Sequence, residues 1–328
     1  MNMMKKITAA ALALCLLLCC GIAAYAEDTG LGAPRFTDES AVAVTKVYRL
    51  VGDGSSPAET FTLRQVGDGI VRDGEAAAAP ALGSITGAAF AEGAATENGA
   101  EGEIVIALPV YDKVGVYEYT LAEEAGANAG VTYYGGSIRL VVTVINDDAA
   151  GRLRIAAVHT ENADGLKSDR FTNTYSAGAL QITKAVTGNL GDREKYFPFT
   201  VTLTGERGVN YAETYAVIGG SCEDNPTAVR IGEAVTVYLK ADDTLTIPNL
   251  PYGVAYTVEE DTPSDYTVTC TGDAGVIAAA LQTAAFTNSK GGEPDTGISL
   301  DSLPYVPGLA LAGVGAVALL CRRRAKRK

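Results

Sequence analysis

Lysine, glutamate and asparagine recur in that order on segments whose alternation places them on an apolar face, and they do so twice. In a strand, residues two apart share a face. Lys46 therefore lies with Val42, Val44, Tyr48 and Leu50. Glu123 lies with Tyr117, Tyr119 and Leu121, and Asn173 falls between Phe171 and Tyr175. In the second set, Lys184 follows Leu180 and Ile182, Glu260 follows Tyr256 and Val258, and Asn288 follows Phe286.

A lone ammonium or carboxylate in a dry core is costly and is driven towards its neutral form. A neutral lysine amine is a nucleophile, and a protonated glutamic acid is a proton donor. An asparagine carboxamide beside them can be attacked, which yields a Lys–Asn isopeptide bond and releases ammonia. The expected bonds are Lys46–Asn173 with catalytic Glu123, and Lys184–Asn288 with catalytic Glu260. The alternative is that each lysine snorkels to the rim or pairs with its glutamate. Repetition of the same order on the same strand parity argues for the bonds. Parity also selects Glu123 and Glu260 over their neighbours Glu124 and Glu259.

The elements that must hold these residues are strands. Thr and Val recur with period two in Ile138–Val144, Phe199–Leu203 and Val235–Leu239, and Gly, Asp and Asn separate the runs. The expectation is an all-β fold of two tandem β-sandwich domains, 40–176 and 177–290, preceded by a segment 27–39. Residues 74–103, rich in Ala and Gly, read as a long inserted loop with one short helical turn.

The two ends carry targeting patterns. Residues 1–26 read as a secretory signal peptide, with Lys5 and Lys6 before an apolar run and cleavage after Ala26. At the other end, a linker (291–301) contains Glu293-Pro294-Asp295-Thr296-Gly297. An apolar segment (302–321) just long enough to cross a bilayer follows, then a basic tail (322–328) expected on the cytoplasmic side. This arrangement resembles the LPxTG-type sorting signal of Gram-positive surface proteins, with Glu293 in place of the leucine. The resemblance implies that a sortase cuts between Thr296 and Gly297 and passes the threonine carbonyl to an amine, joining the chain to peptidoglycan or to another subunit.

The two halves resemble known families as well. Val44-Thr45-Lys46, Gly115–Glu123 and Phe171-Thr172-Asn173-Thr174-Tyr175 are similar to the streptococcal pilin isopeptide-linkage domain. Ile182–Asn189, Tyr256–Glu260 and Phe286-Thr287-Asn288 are similar to the Cna B-type, immunoglobulin-like sandwich. The resemblance implies a secreted, cell-surface backbone pilin, polymerised head to tail by sortase. A single wall-anchored adhesin with a host ligand is the alternative. Of the seven lysines outside the two terminal segments, Lys167 is the expected polymerisation lysine. It sits in a polar loop before the last strand of the first domain, where related shaft subunits place theirs. Lys113 and Lys195 are the runners-up.

Composition narrows the partners. The terminal segments 1–26 and 297–328 hold eight of the 26 basic residues but only Asp301 of the 39 acidic ones. The remainder carries a net charge of −20. Such a chain disfavours nucleic acid and anionic membrane surfaces. No cofactor motif, metal-ligand spacing or turnover site is expected. Asp147-Asp148 and Asp242-Asp243 read as turn acids, His159 as a surface or edge residue, and Cys222 and Cys270 as a possible disulfide.

Overall fold

The structure, a computed structural model, describes residues 40–293 apart from 75 and 77. Eleven principal strands organise it. They are β1 (Ala41–Gly52), β2 (Ala100–Ala107), β3 (Gly115–Glu123), β4 (Ile138–Asp147), β5 (Arg152–Glu161), β6 (Arg170–Thr187), β7 (Phe197–Thr204), β8 (Ala234–Leu239), β9 (Thr244–Pro251), β10 (Ala255–Glu260) and β11 (Leu281–Ser289). The described residues are all-β, and among them no helix is long and apolar enough to cross a membrane. The signal peptide with Ala26, residues 294–297 of the sorting motif, the apolar segment and the basic tail lie outside the described residues.

Two cores form, each between facing sheets. In the first, β1 lies between β2 and the leading half of β6, and β4 joins β5 to β3 in the sheet opposite. Tyr48, Phe61, Tyr117, Tyr119, Ile104 and Leu140 fill the space between them. In the second, the trailing half of β6 lies between β9 and β11, facing β8, β7 and β10. Phe197, Phe199, Leu180, Ile182, Val237 and Leu245 fill that space. The alternation that defines these faces is unbroken along β6, where every second residue from Phe171 to Val186 is buried apart from one shift at Ala177-Gly178. That shift coincides with a bulge in the β6–β9 pairing.

β6 is thus a single 18-residue strand that closes the first core and opens the second. Further contacts join the halves alongside it. Asn249, at φ +57, accepts hydrogen bonds at Oδ1 from Ser55 N (2.9 Å) and from the Tyr175 hydroxyl (3.1 Å). Asn210 exchanges main-chain hydrogen bonds with Ala127 and Ala129. Asparagine tolerates the left-handed conformation better than most residues, which suits Asn249 to this point in β9.

The segment 74–103 departs from the expected loop. Ile85–Thr86 pairs with β2, Ala88–Phe90 pairs with Glu59–Phe61, and β2 itself begins at Ala100. Turns take the place of the helical turn. Ala88 and Phe90 are buried in the first core, and Gly102 packs close under the Phe90 ring, where an added methyl would lie only 3.0 Å from it. The small residues of this segment blurred the period-two signal.

Candidate functional site

Each Lys, Glu and Asn set is brought together, and the strand register explains how. β1 and β6 run parallel, with Lys46 opposite Phe171 and Asn173 two residues further on the same face. β6 and β11 repeat this, with Lys184 opposite Phe286 and Asn288 two residues further on. Both asparagines are fully buried, and Lys46 and Lys184 are only 1% and 2% exposed. The acids arrive from the facing sheets, at the ends of β3 and β10, with side chains as enclosed as the lysines. Their neighbours Glu124 and Glu259 are exposed.

In the first cluster the Lys46 ammonium nitrogen donates to Glu123 Oε2 and to Asn173 Oδ1, the latter at 2.7 Å. Asn173 Nδ2 donates to Glu123 Oε1. The main-chain N–H of Tyr134 also reaches Asn173 Oδ1, at 2.8 Å. In the second cluster Lys184 Nζ donates to Glu260 Oε1 at 2.6 Å, and Asn288 Nδ2 donates to the same oxygen. Asn288 Oδ1 and Glu260 Oε2 are buried without a hydrogen-bond partner.

Burial pushes both lysines below the ordinary lysine pKa, opposed in each case by the hydrogen bond and charge of the adjacent glutamate. Aromatic rings enclose both amines. Lys46 Nζ is 5.2 Å from the Phe61 centroid and 5.8 Å from Tyr134, and Lys184 Nζ is 4.4 Å from Phe197 and 5.5 Å from Phe199. These rings limit solvent, so each cluster holds a nucleophile, a proton carrier and a carboxamide in a dry site. Sequence reasoning did not single out the rings. Phe197 and Phe199 were within reach through strand alternation. Phe61 on a three-residue strand and Tyr134 in a connection carry no periodic signal.

The remaining predicted residues are scattered. Lys167 is exposed in a hairpin whose Asn162 Oδ1 accepts from the N–H groups of Asp164 and Leu166, both at 3.0 Å. Lys113 and Lys195 are also exposed, whereas Lys240 and Lys290 are paired with Glu194 and Asp265. Glu293 is exposed. The possible disulfide between Cys222 and Cys270 is not formed. Both are free thiols, Cys222 in the loop after Ile218–Gly219 and Cys270 on the outer strand Thr267–Thr271. Asp243 caps its own turn by accepting from Lys240 N, and His159 contacts Glu161 on β5. Among the described residues no group of three or more His, Cys, Asp or Glu is placed to hold a metal ion.

Comparison with known proteins bears on the same regions. Residues 42–176 match the Spy0128-like isopeptide containing domain, and residues 178–290 match a domain of unknown function, DUF7601. A pilin of Streptococcus pyogenes serotype M1 is 25% identical over 236 residues, which is 65% of this chain and 69% of that protein. The pilus tip adhesin Cpa of Streptococcus pyogenes is 33% identical over 129 residues, but these span only 18% of that protein. The crystal structure of the major pilin from Streptococcus pyogenes superimposes with a TM-score of 0.52 at 24% identity, covering 78% of this chain and 100% of that one. The two sandwiches are therefore those of the pilin fold. The chain is a homologue of the Streptococcus pyogenes pilin, and its residues 42–176 belong to the Spy0128-like isopeptide containing domain family.

Proposed function

We propose that the chain is a pilus shaft subunit: a secreted structural protein whose two domains, 40–176 and 177–290, are each locked by a self-formed Lys–Asn bond, and which a sortase links through Thr296 to the next subunit and to the wall. The observation that carries this reading is the repeated cluster, with Lys and Asn on adjacent parallel strands and Glu reaching across from the facing sheet. A bond there ties the first strand of each half to its last. The crosslinks close sequence separations of 127 and 104 residues. An amide so placed resists reduction, pulling and local opening, as a subunit under tension requires.

The bond itself calls on no cofactor. The neutral lysine attacks the carboxamide carbon, the glutamate moves the proton from the amine to the departing nitrogen, and ammonia leaves. The protein catalyses this on itself once, which is a modification rather than turnover.

The strand directions support a head-to-tail polymer. Lys167 comes just before the first residue of β6, and Lys290 just after β11, whose last residue lies opposite Thr187 at the end of β6. An 18-residue strand spans on the order of 60 Å, so Lys167 and Lys290 lie far apart on one subunit. A chain that leaves β11 at that end favours linkage to a neighbour's Lys167 over its own.

Intact-mass spectrometry of the folded protein tests the bonds: each should remove about 17 Da, and Glu123→Ala or Glu260→Ala should restore one such unit. Full mass in well-folded protein would refute them. Polymerisation is tested in wall extracts boiled in detergent, where a ladder of high-mass species should vanish in Lys167→Ala. A ladder lost only in Lys113→Ala or Lys195→Ala moves the acceptor. A single band in place of a ladder favours the wall-anchored adhesin. For Thr296→Ala, the expected outcome is retention in the membrane fraction.

A further inference from the structure

We infer that the main-chain N–H of Tyr134 is the oxyanion donor for the first Lys–Asn bond, and that the second bond, lacking such a donor, forms more slowly. This rests on reading the two clusters as bond-forming sites.

The step fixes where charge appears. As neutral Lys46 Nζ bonds to Asn173 Cγ, the carbonyl π pair moves onto Oδ1. The Nζ proton passes to one Glu123 oxygen and the carboxyl proton goes to Nδ2. The Cγ–Nδ2 bond then breaks, ammonia departs, and Glu123 ends in its starting form. Negative charge therefore develops on Oδ1 alone. A donor already aimed at that atom lowers the barrier, because it needs no reorganisation when the charge arrives.

Tyr134 N is 2.8 Å from Asn173 Oδ1. It is held there from two sides. The chain just before it, Val131–Thr132, pairs with β6 beside Tyr175 and Thr174, and the Tyr134 ring packs 5.2 Å from Phe171. Both partners belong to the strand that carries Asn173, so the donor and its target are fixed to one element.

The second cluster has the proton carrier but not this donor. Lys184 Nζ and Asn288 Nδ2 both converge on Glu260 Oε1. Asn288 Oδ1 has no partner among the described residues, and Asn288 is fully buried. Charge building there meets no prearranged dipole. Tyr134 lies in the 50-residue stretch between acid and asparagine of the first half, whereas the 28-residue stretch of the second half supplies no hydrogen bond to Asn288 Oδ1.

The test times ammonia loss in each half separately. The full chain is made by cell-free synthesis, translation is arrested, and peptides spanning each pair are followed by mass spectrometry. In the wild type the first loss should finish before the second. Replacing Tyr134 by its α-hydroxy analogue through nonsense suppression turns that N–H into an ester oxygen and keeps the ring. The first loss should then slow by about tenfold or more, with the second unchanged. Tyr134→Phe, which keeps the N–H, should leave both rates alone. A first bond that closes at the wild-type rate in the ester variant, or a wild type in which the second bond closes first, overturns the inference. The wild-type order needs no variant, so it stands even if the ester disturbs folding. If neither half of the wild type loses ammonia, the bond-forming reading fails instead.

Discussion

The two halves bring the same three residue types together with different lengths of chain. In the first, the acid lies 77 residues after the lysine and the asparagine 50 residues after the acid. In the second, the intervals are 76 and 28. The strand register is nonetheless identical, with lysine opposite a phenylalanine two residues before the asparagine. Parallel pairing of first and last strands fixes that offset, so insertions between the acid and the asparagine are absorbed elsewhere. In the first half the extra residues include β4, β5 and the Tyr134 segment, and that segment delivers a donor to the carboxamide. The second half lacks it and leaves a buried carbonyl oxygen unpaired. The shared register sets whether the reacting groups meet, and the differing insertions set how well the site is finished.

The largest effects should come from removing a proposed crosslink. Loops of this length correspond to about 5 kcal/mol in the chain-entropy account. Lys46→Ala or Lys184→Ala should therefore each lower the melting temperature by roughly 10–20 °C in scanning calorimetry. The dependence on loop length is logarithmic, so the 127- and 104-residue separations predict nearly equal losses. A half that loses no stability carries no crosslink, and the equivalence of the two clusters would fall.

Next come the rings around the amines. Phe61→Ala and Phe197→Ala each empty a buried site and should cost about 3–5 kcal/mol. Urea unfolding followed half by half should place each loss in its own domain and leave the other half's ammonia loss intact. Spread of either effect into the other half would show that the cores are coupled more tightly than separate clusters suggest.

A smaller effect probes the seam. Asn249→Ala removes the acceptor shared by Ser55 and Tyr175 and places alanine at φ +57. A cost of about 1–3 kcal/mol is expected, with the two halves melting further apart. An unchanged calorimetric profile would assign the coupling to β6 alone.

The smallest effect concerns pH. In the doubly uncrosslinked Asn173→Ala, Asn288→Ala protein, the lysines stay buried and their folded-state pKa lies below the unfolded value of about 10.4. Between those two values the unfolded chain binds more protons, so stability should rise with pH across that window and be lowest beneath it. Urea midpoints taken at about pH 6 and about pH 9 check the sign, and a midpoint that falls with rising pH would contradict it.

Several features were legible in the residue order because they are local and periodic. Alternation along Val42–Leu50 and Phe171–Tyr175 placed Lys46 and Asn173 on the inner face, and the same rule chose Glu123 over Glu124. Two all-β units followed from the Thr- and Val-rich runs. Segment 74–103 was misread because its many alanines and glycines carry little alternation. The lack of a Cys222–Cys270 bond depended on where a loop and a distant strand settle.

By itself, then, the sequence determined which face of its clearly alternating strands is buried and which residue types stand on it, since side-chain period and residue type are properties of the chain. Tertiary structure decided the rest. It set the two-residue offset between lysine and asparagine, because register belongs to a pair of strands and not to either one. It made one strand serve both cores, and it aimed the Tyr134 N–H at one carboxamide and nothing at the other, because a main-chain donor has no residue type by which to be recognised.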